Sequence, residues 1–178
     1  RRPLRIFCRS PDSIMNELPQ PTTDSIDTDA IPAALRNKKQ WICWEYADRD
    51  GKSGKVPVQP SGQKASISDP DTWCSFDVAV CSHYSEMIDS QGIGFVFTES
   101  DPFAGVDLDD CVNEQGDLTE RASEIVSRLD SYTEYSPSGT GVHVLVEGEL
   151  PQGSNRSGGI ELYDSSRYFT VTGNHIDN

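Results

Sequence analysis

Two carboxylates stand two positions apart in the run Val106-Asp107-Leu108-Asp109-Asp110. On a β-strand alternate side chains point to the same side, so we expect Asp107 and Asp109 to share one face while Val106 and Leu108 pack inward. Neighbouring carboxylates repel each other, and a bound divalent cation removes that repulsion. The alternative is a strand that ends in an acidic turn, which arises easily by chance in a chain with 29 acidic residues.

A second segment with chemical potential is Ser136-Pro137-Ser138-Gly139-Thr140-Gly141, which is followed by Val142 and His143. Small residues let backbone N–H groups approach an anion, and hydroxyl groups add hydrogen bonds. We expect His143, just inside the next strand, to reach a phosphate bound there. The alternative is a flexible hairpin loop followed by a structural histidine.

A third segment places Glu161 between Ile160 and Leu162, and Arg167 at the start of the following strand. Glu161 is expected to face away from the apolar side, where it would add a third carboxylate to the pair above. Arg167 offers a permanently charged fork for a triphosphate. The alternative is a surface glutamate and a surface arginine that bond to each other across a hairpin.

The order of these segments resembles the archaeo-eukaryotic primase superfamily, in particular the primase-polymerase domains of plasmids, viruses and mobile elements. That family has an apolar strand with Asp-x-Asp, then a small-x-His motif, then an apolar strand with a third acidic residue. Here these are Asp107 and Asp109, then residues 141–143, then Glu161. The segment 167–173 is similar to the arginine strand that follows in these proteins, and the resemblance covers most of the chain.

The resemblance implies template-directed nucleotidyl transfer on DNA by a two-metal mechanism. Asp107, Asp109 and Glu161 would hold two divalent ions, Mg²⁺ or Mn²⁺, with His143 as a further catalytic residue. The phosphates of the incoming (d)NTP would be contacted by Ser138, Gly139, His143, Arg167 and Lys55. The implied partners are a DNA template and primer, and a replicative helicase domain or protein.

The fold implied is α+β, with an RRM-like catalytic antiparallel sheet joined to a small N-terminal α/β unit. The residue pattern itself also indicates α+β, because short strands dominate the second half around one amphipathic helix. The spacing predicts strands at 40–46, 55–58, 92–97, 103–109, 132–135, 142–147, 159–163 and 168–172, and helices at 31–35, 75–89 and 119–130. The pairs 92–97 with 103–109 and 159–163 with 168–172 resemble hairpins, and Asp50-Gly51 predicts a turn.

The net charge of the chain limits which partners its surface can bind. The chain has 15 basic and 29 acidic residues and a net charge of −14, which excludes a protein that coats nucleic acid with a wholly basic surface. Such acidity also fits a salt-rich cytoplasm. Between positions 36 and 64, seven basic residues face three acidic ones. This basic island is either a phosphate-binding face, with Lys55 the strongest candidate, or a solvated loop and strand edge.

Five cysteines without a Cys-x-x-Cys pair argue against a disulfide framework and predict a reducing cytoplasm. Cys74, Cys81 and His83 form a loose cluster, but buried small apolar side chains explain it better than zinc does. No apolar run approaches the roughly 20 residues of a membrane helix, so we expect no membrane partner.

Residues 1–30 are predicted to be a disordered lead-in, of which 1–14 are suspected not to be native because the first methionine is Met15. Residues 31–178 are predicted to form the catalytic domain. Because relatives usually continue beyond the third motif, we expect the domain to be truncated at its C-terminus.

Two other functions stay open at this stage. One is a catalytically inactive module that binds nucleic acid or nucleotides in replication. The other is a metal-dependent phosphoesterase or nuclease that uses the same carboxylates.

Overall fold

The computed structural model describes residues 25–49, 52–85, 87–150 and 155–177, and the predicted turn at 50–51 lies outside them. The described part is α+β, as the sequence predicts. Its helices are α1 (Ala33–Arg36), α2 (Phe76–Tyr84) and α3 (Glu120–Leu129), and a 3₁₀ turn covers Pro70–Thr72. Its strands are β1 (Trp41–Arg49), β2 (Lys52–Val58), β3 (Gly92–Phe97), β4 (Phe103–Leu108), β5 (Tyr132–Tyr135), β6 (Val142–Glu147), β7 (Arg156–Ser157), β8 (Ile160–Tyr163) and β9 (Arg167–Val171).

The strands form two antiparallel sheets. Sheet 1 has the order β2-β1-β3-β9, and sheet 2 has the order β5-β6-β4-β8-β7. Pro57 lies on β2, at the edge of sheet 1, where a missing N–H costs no ladder hydrogen bond.

Both predicted hairpins are wrong. β3 and β4 lie in different sheets, and so do β8 and β9. β3 and β4 follow each other in the sequence, but they pack across the gap between the sheets, where the ring centroids of Phe95 and Phe103 lie 5.8 Å apart. The turn between β8 and β9 leaves sheet 2 at Ser166, which has a φ of 54°.

The core between the sheets is aromatic. Trp41 and Phe95 from sheet 1 and Phe103 from sheet 2 are at most 5% exposed and belong to one cluster. Phe97 and Phe169 meet edge to face with ring centroids 5.0 Å apart. Such ring pairs contribute beyond their buried area, so this cluster fixes how the two sheets sit on each other.

The outer face of sheet 2 is covered by α3. Val106, Leu108 and Val144 pack in one cluster with Ala122 and Val126 of the helix. α3 begins at the N-cap Thr119, whose Oγ1 accepts a hydrogen bond from the Ala122 N–H at 3.3 Å. Since Val106 and Leu108 face α3, the side chain of the residue between them lies on the opposite face, towards sheet 1.

Two boundaries differ from the predicted ones. α2 ends at Tyr84 rather than residue 89, because Ile88 turns back onto the core while Met87 is 85% exposed. Residues 25–30, predicted as lead-in, run along the fold: Ile26 packs against the core, and the Asp27 N–H donates to the Thr172 carbonyl at 2.9 Å. Residues 1–24 lie outside the described residues.

In the described ranges, none of the helices has the length and apolar character needed to cross a membrane.

Gly105 on β4 lets the two sheets approach closely. A Cβ there would overlap the Phe169 ring and lie 2.7 Å from Phe97 Cζ. We predict that Gly105→Ala lowers the free energy of unfolding by about 1–3 kcal/mol, as overpacked cores do, measured by urea denaturation. Gly54→Ala on β2, where a Cβ meets no atom within 4 Å, is the matched control and should stay within about 0.5 kcal/mol of the parent. Equal losses in both variants would contradict this packing role.

Candidate active site

A row of polar side chains crosses all five strands of sheet 2. The strand registers pair Glu134 with His143, His143 with Asp107, Asp107 with Glu161, and Glu161 with Arg156. Directly paired residues of an antiparallel sheet point to the same side, so all five share the face that sheet 1 partly covers. We call these five residues the polar row. The sequence predicted three of them as site residues, and the sheet registers bring those three together.

His143 is buried and held from two sides. Its Nδ1 lies 3.0 Å from the Thr170 carbonyl of β9, and its ring stacks on Phe169 at 4.6 Å. A carbonyl only accepts, so Nδ1 carries the proton. Burial, with a contribution from the Lys55 charge, lowers the pKa of His143 to about 4. In this neutral form Nε2, 3.7 Å from Asp107 Oδ1, accepts hydrogen bonds, and donation to a phosphate requires a second proton on the ring.

Asp107 is a carboxylate of the row whose charge is only partly compensated. Its side chain is 22% exposed. Burial, and then repulsion from Asp109 and Glu161, raise its pKa to about 6, while Lys55 and Arg167 oppose that rise. A further cation placed beside Asp107 would therefore be stabilised by its carboxylate.

Asp109 lies just beyond the end of β4. It is exposed, and its N–H donates to the Gly159 carbonyl at 2.9 Å. It lines a second cavity of about 170 Å³ on the α3 side, together with Arg121 and Gly158. Asp109 is close enough to Asp107 to raise its pKa, but the two side chains line different cavities.

Glu161 is already engaged by cations. Arg156 Nη2 donates to its Oε2 at 2.8 Å, the Tyr163 hydroxyl donates to the same oxygen, and Arg167 Nη2 lies 3.9 Å away. The hydrogen bond from Tyr163, followed by the contacts with Arg156 and Arg167, lowers the pKa of Glu161. The sequence left a bonded pair of Glu161 and Arg167 across a hairpin as an alternative; the two residues form an ion pair at 3.9 Å, which joins two sheets rather than a hairpin.

The described residues contain no ready-made cluster of three or more His, Cys, Asp or Glu side chains that would enclose a metal ion. The donor set still suits a hard cation, because the neighbouring Asp109 carboxylate helps to raise the pKa of Asp107 and a bound cation would oppose that rise. A cation that binds Glu161 through Oε2 would compete with Arg156 and Tyr163, which already contact that oxygen.

A cavity of about 340 Å³ opens beside Asp107, and we call it the site cavity. It is lined by Lys55, Ile67, Asp107, His143, Arg167, Tyr168, Phe169 and Thr170. Thr170 is 4% exposed, and its Oγ1 has no hydrogen-bond partner within the part of the chain that the structure describes. A buried hydroxyl in that state favours a polar ligand.

Lys55 is the member of the basic island that reaches the site cavity. Its Nζ lies 5.3 Å from the centre of the Trp44 ring, and burial lowers its pKa against the opposing pull of Asp107. Lys38 instead lies over Phe103 at 5.5 Å, away from the cavity lining. The side chains of Arg49 and Lys52 fall outside the described part of the chain.

Ser138 and Gly139 do not line the site cavity. Ser138 Oγ lies 3.0 Å from the hydroxyl oxygens of both Ser136 and Thr140, so the loop hydroxyls bond to one another. The loop packs on the end of β4, where a Cβ on Gly141 would lie 2.6 Å from the Leu108 carbonyl oxygen. The role of Ser138 and Gly139 as phosphate contacts stays a prediction.

The loose cysteine cluster is not gathered around one point. The Cys74 thiol is buried and donates to the Trp41 carbonyl at 3.2 Å, Cys81 is exposed, and His83 Nδ1 lies 3.1 Å from Ser90 Oγ. These contacts agree with the structural explanation given for Cys74.

Sequence reasoning missed three residues of this region: Glu134, Arg156 and Thr170. Glu134 had a visible signal, since it is the one acidic residue in the β-prone run 132–135, next to the small-residue loop. Arg156 had none, because only the register of β7 with β8 places it opposite Glu161.

Comparison with known proteins identifies the family. Over 159 residues, 83% of the chain, the sequence is 39% identical to a DNA primase-polymerase of Nitratiruptor phage NrS-1. The chain spans 21% of the length of that relative. No protein-family model matches the chain. The family resemblance drawn from the motifs is confirmed: the chain belongs to the primase-polymerase domains of the viral and mobile-element type.

The pH dependence of stability offers a test of the burial of Glu134 in the polar row. Burial raises the pKa of Glu134 to about 7, from 4.5 in an unfolded chain. Between these values the unfolded chain has lost a proton that the folded protein keeps, so the free energy of unfolding falls as pH rises. We predict that the parent loses at most about 3 kcal/mol relative to Glu134→Gln between pH 4.5 and 8, measured by urea denaturation.

Other titrating groups change the free energy of unfolding of the parent and of Glu134→Gln alike. The difference between the two plots of that free energy against pH therefore isolates Glu134. Parallel curves across this pH range would contradict the raised pKa.

Proposed function

We propose that this domain catalyses template-directed nucleotidyl transfer from (d)NTPs on DNA, as a primase, a polymerase or both. The observation that carries the proposal is the pairing of an under-compensated carboxylate, Asp107, with two cations, Lys55 and Arg167, around one cavity. Carboxylates next to phosphate-binding cations are what metal-assisted phosphoryl transfer requires. The similarity to a phage protein named DNA primase-polymerase supports the same reaction class.

Divalent ions, Mg²⁺ or Mn²⁺, would be held by Asp107 and Asp109, with Glu161 as the third ligand. When bound, such ions lower the pKa of an attacking hydroxyl and stabilise charge on the leaving pyrophosphate. The chain's own contribution is to keep Asp107 ionised in a partly dry cavity, and Lys55 and Arg167 oppose the rise of its pKa.

The triphosphate would lie in the site cavity. Arg167 enters from β9 and stacks on Tyr163 at 4.7 Å, which orients its guanidinium plane. Lys55 supplies a second positive charge from β2, and the unpartnered hydroxyl of Thr170 offers a hydrogen bond. His143 would accept a hydrogen bond through Nε2, or donate one to phosphate once the added negative charge raises its pKa.

Sheet 2 with α3 would be the RRM-like catalytic sheet, and most of sheet 1 with α1 and α2 the N-terminal α/β unit, within a catalytic domain at 31–178. DNA template and primer are the proposed partners, and a replicative helicase is a further one that the family resemblance suggests.

The first test is nucleotide incorporation on primed and unprimed DNA templates with Mg²⁺ or Mn²⁺. We predict that Asp107→Ala/Asp109→Ala lowers incorporation by about a hundredfold or more. The variant lacks the carboxylates that would hold the metal ions, and those ions would stabilise the negative charge that develops in the transition state. Glu120→Ala/Glu124→Ala makes the same charge change on the exposed side of α3 and should retain parental activity.

Each other outcome identifies a different function. Metal-dependent nucleotide binding without incorporation would favour an inactive replication module, which the engagement of Glu161 by Arg156 makes a specific alternative. Release of nucleotides from DNA without incorporation would favour a nuclease.

Mn²⁺ binding without nucleotide tests the role of Glu161. Because Arg156 competes for its Oε2, we predict that Arg156→Gln tightens Mn²⁺ binding a few-fold, measured by electron paramagnetic resonance of free Mn²⁺. Arg128→Gln, an exposed change on α3, is the charge-matched control. The gain should vanish in Arg156→Gln/Glu161→Gln, and a gain that persists there would remove Glu161 from the ligand set.

A further inference from the structure

The chain crosses from sheet 1 to sheet 2 directly after β9. Residues 174–176 run along the edge of β5, where the Tyr135 N–H donates to the Asn174 carbonyl at 3.0 Å and the Ile176 N–H donates to the Thr133 carbonyl at 2.9 Å. The crossing turns at Gly173, whose φ is 75° and whose position leaves no room for a Cβ beside the Asp27 carbonyl. This tight turn directs two backbone N–H groups into the protein interior.

Glu134 satisfies those two N–H groups. Its carboxylate accepts from the Thr172 N–H at 3.1 and 3.2 Å and from the Gly173 N–H at 2.9 Å. The Tyr132 hydroxyl donates to its Oε2 at 2.7 Å, and the whole side chain is 0% exposed. A buried N–H without an acceptor is costly, so the position of Glu134 on β5 fixes where the end of β9 lies.

β9 carries the groups that face the site cavity from sheet 1. The Thr170 carbonyl accepts a hydrogen bond from the His143 Nδ1–H, Phe169 stacks on the same ring, and Arg167 approaches Glu161. Glu134 itself lies 4.0 Å from His143 Nδ1. A shift of the β9 end near Thr170 would therefore change the hydrogen bond that fixes the tautomer of His143.

We propose that Glu134 is a positioning residue for nucleotide binding: it fixes the end of β9 through the N–H groups of Thr172 and Gly173, and so sets the tautomer of His143 at the site cavity. Its effect on nucleotide affinity rests on the proposed function, whereas its effect on His143 does not.

The test compares Glu134→Met, which keeps a similar volume without an acceptor, with Glu134→Gln, whose amide oxygen still accepts. All measurements are made at pH 8, above the raised pKa of Glu134, on variants whose folding has first been checked by circular dichroism. The first readout is ¹⁵N NMR of His143, which separates the Nδ1–H from the Nε2–H tautomer without any nucleotide. The second is the Kd of a (d)NTP with Mn²⁺, measured by calorimetry.

We expect the parent and Glu134→Gln to hold the Nδ1–H tautomer, while Glu134→Met mixes tautomers and binds the nucleotide about tenfold more weakly. Tyr132→Phe removes a donor to Glu134 but leaves both backbone contacts, so it should match the parent in both readouts. A folded Glu134→Met with the parental tautomer and parental Kd would reduce Glu134 to a structural residue and overturn the proposal.

A Glu134→Gln variant as impaired as Glu134→Met would also overturn it, because charge rather than backbone capture would then be the cause. If the parent binds no nucleotide, the proposed function fails, and the tautomer measurement still decides whether Glu134 positions His143.

Discussion

Burial of ionisable groups between two sheets is the constraint on which this site depends. The polar row lies on the face of sheet 2 that sheet 1 partly covers, so each of its charges must be paired, neutralised or left at a cost. Glu134 is satisfied by backbone N–H groups, His143 is neutral, and Glu161 is held by Arg156. The charge of Asp107 is offset in part by Lys55 and Arg167, and all three residues line the site cavity.

β9 links the two halves of this arrangement. It is hydrogen-bonded as the last strand of sheet 1, yet its side chains and carbonyls complete the surroundings of His143 and Glu161 on sheet 2. Gly105 permits this closeness, because any side chain at that position would overlap Phe169. The packing of the two sheets consequently also determines the geometry of the site.

The electrostatics of the chain are arranged locally. A net charge of −14 repels a DNA backbone over long distances, and salt screens that repulsion beyond about 10 Å. Within the site cavity the balance of positive and negative charge differs from that of the whole chain, since Lys55 and Arg167 lie close enough to Asp107 to oppose the rise of its pKa. In this acidic chain two cations, Lys55 and Arg167, therefore line the same cavity as Asp107.

The sequence alone determined the α+β class, nearly all of the strands, the family, and the facing of Asp107 away from the α3 side, because strand alternation and apolar spacing are local properties. It did not determine which strands pair, since adjacent strands such as β3 and β4 look like a hairpin until their apolar faces are packed across the core. Only the tertiary structure decided that Asp109 lines a different cavity, that Arg156 competes for Glu161, and that Glu134 ends the row. Those facts follow from register and burial, which join residues far apart in the chain and leave no local pattern.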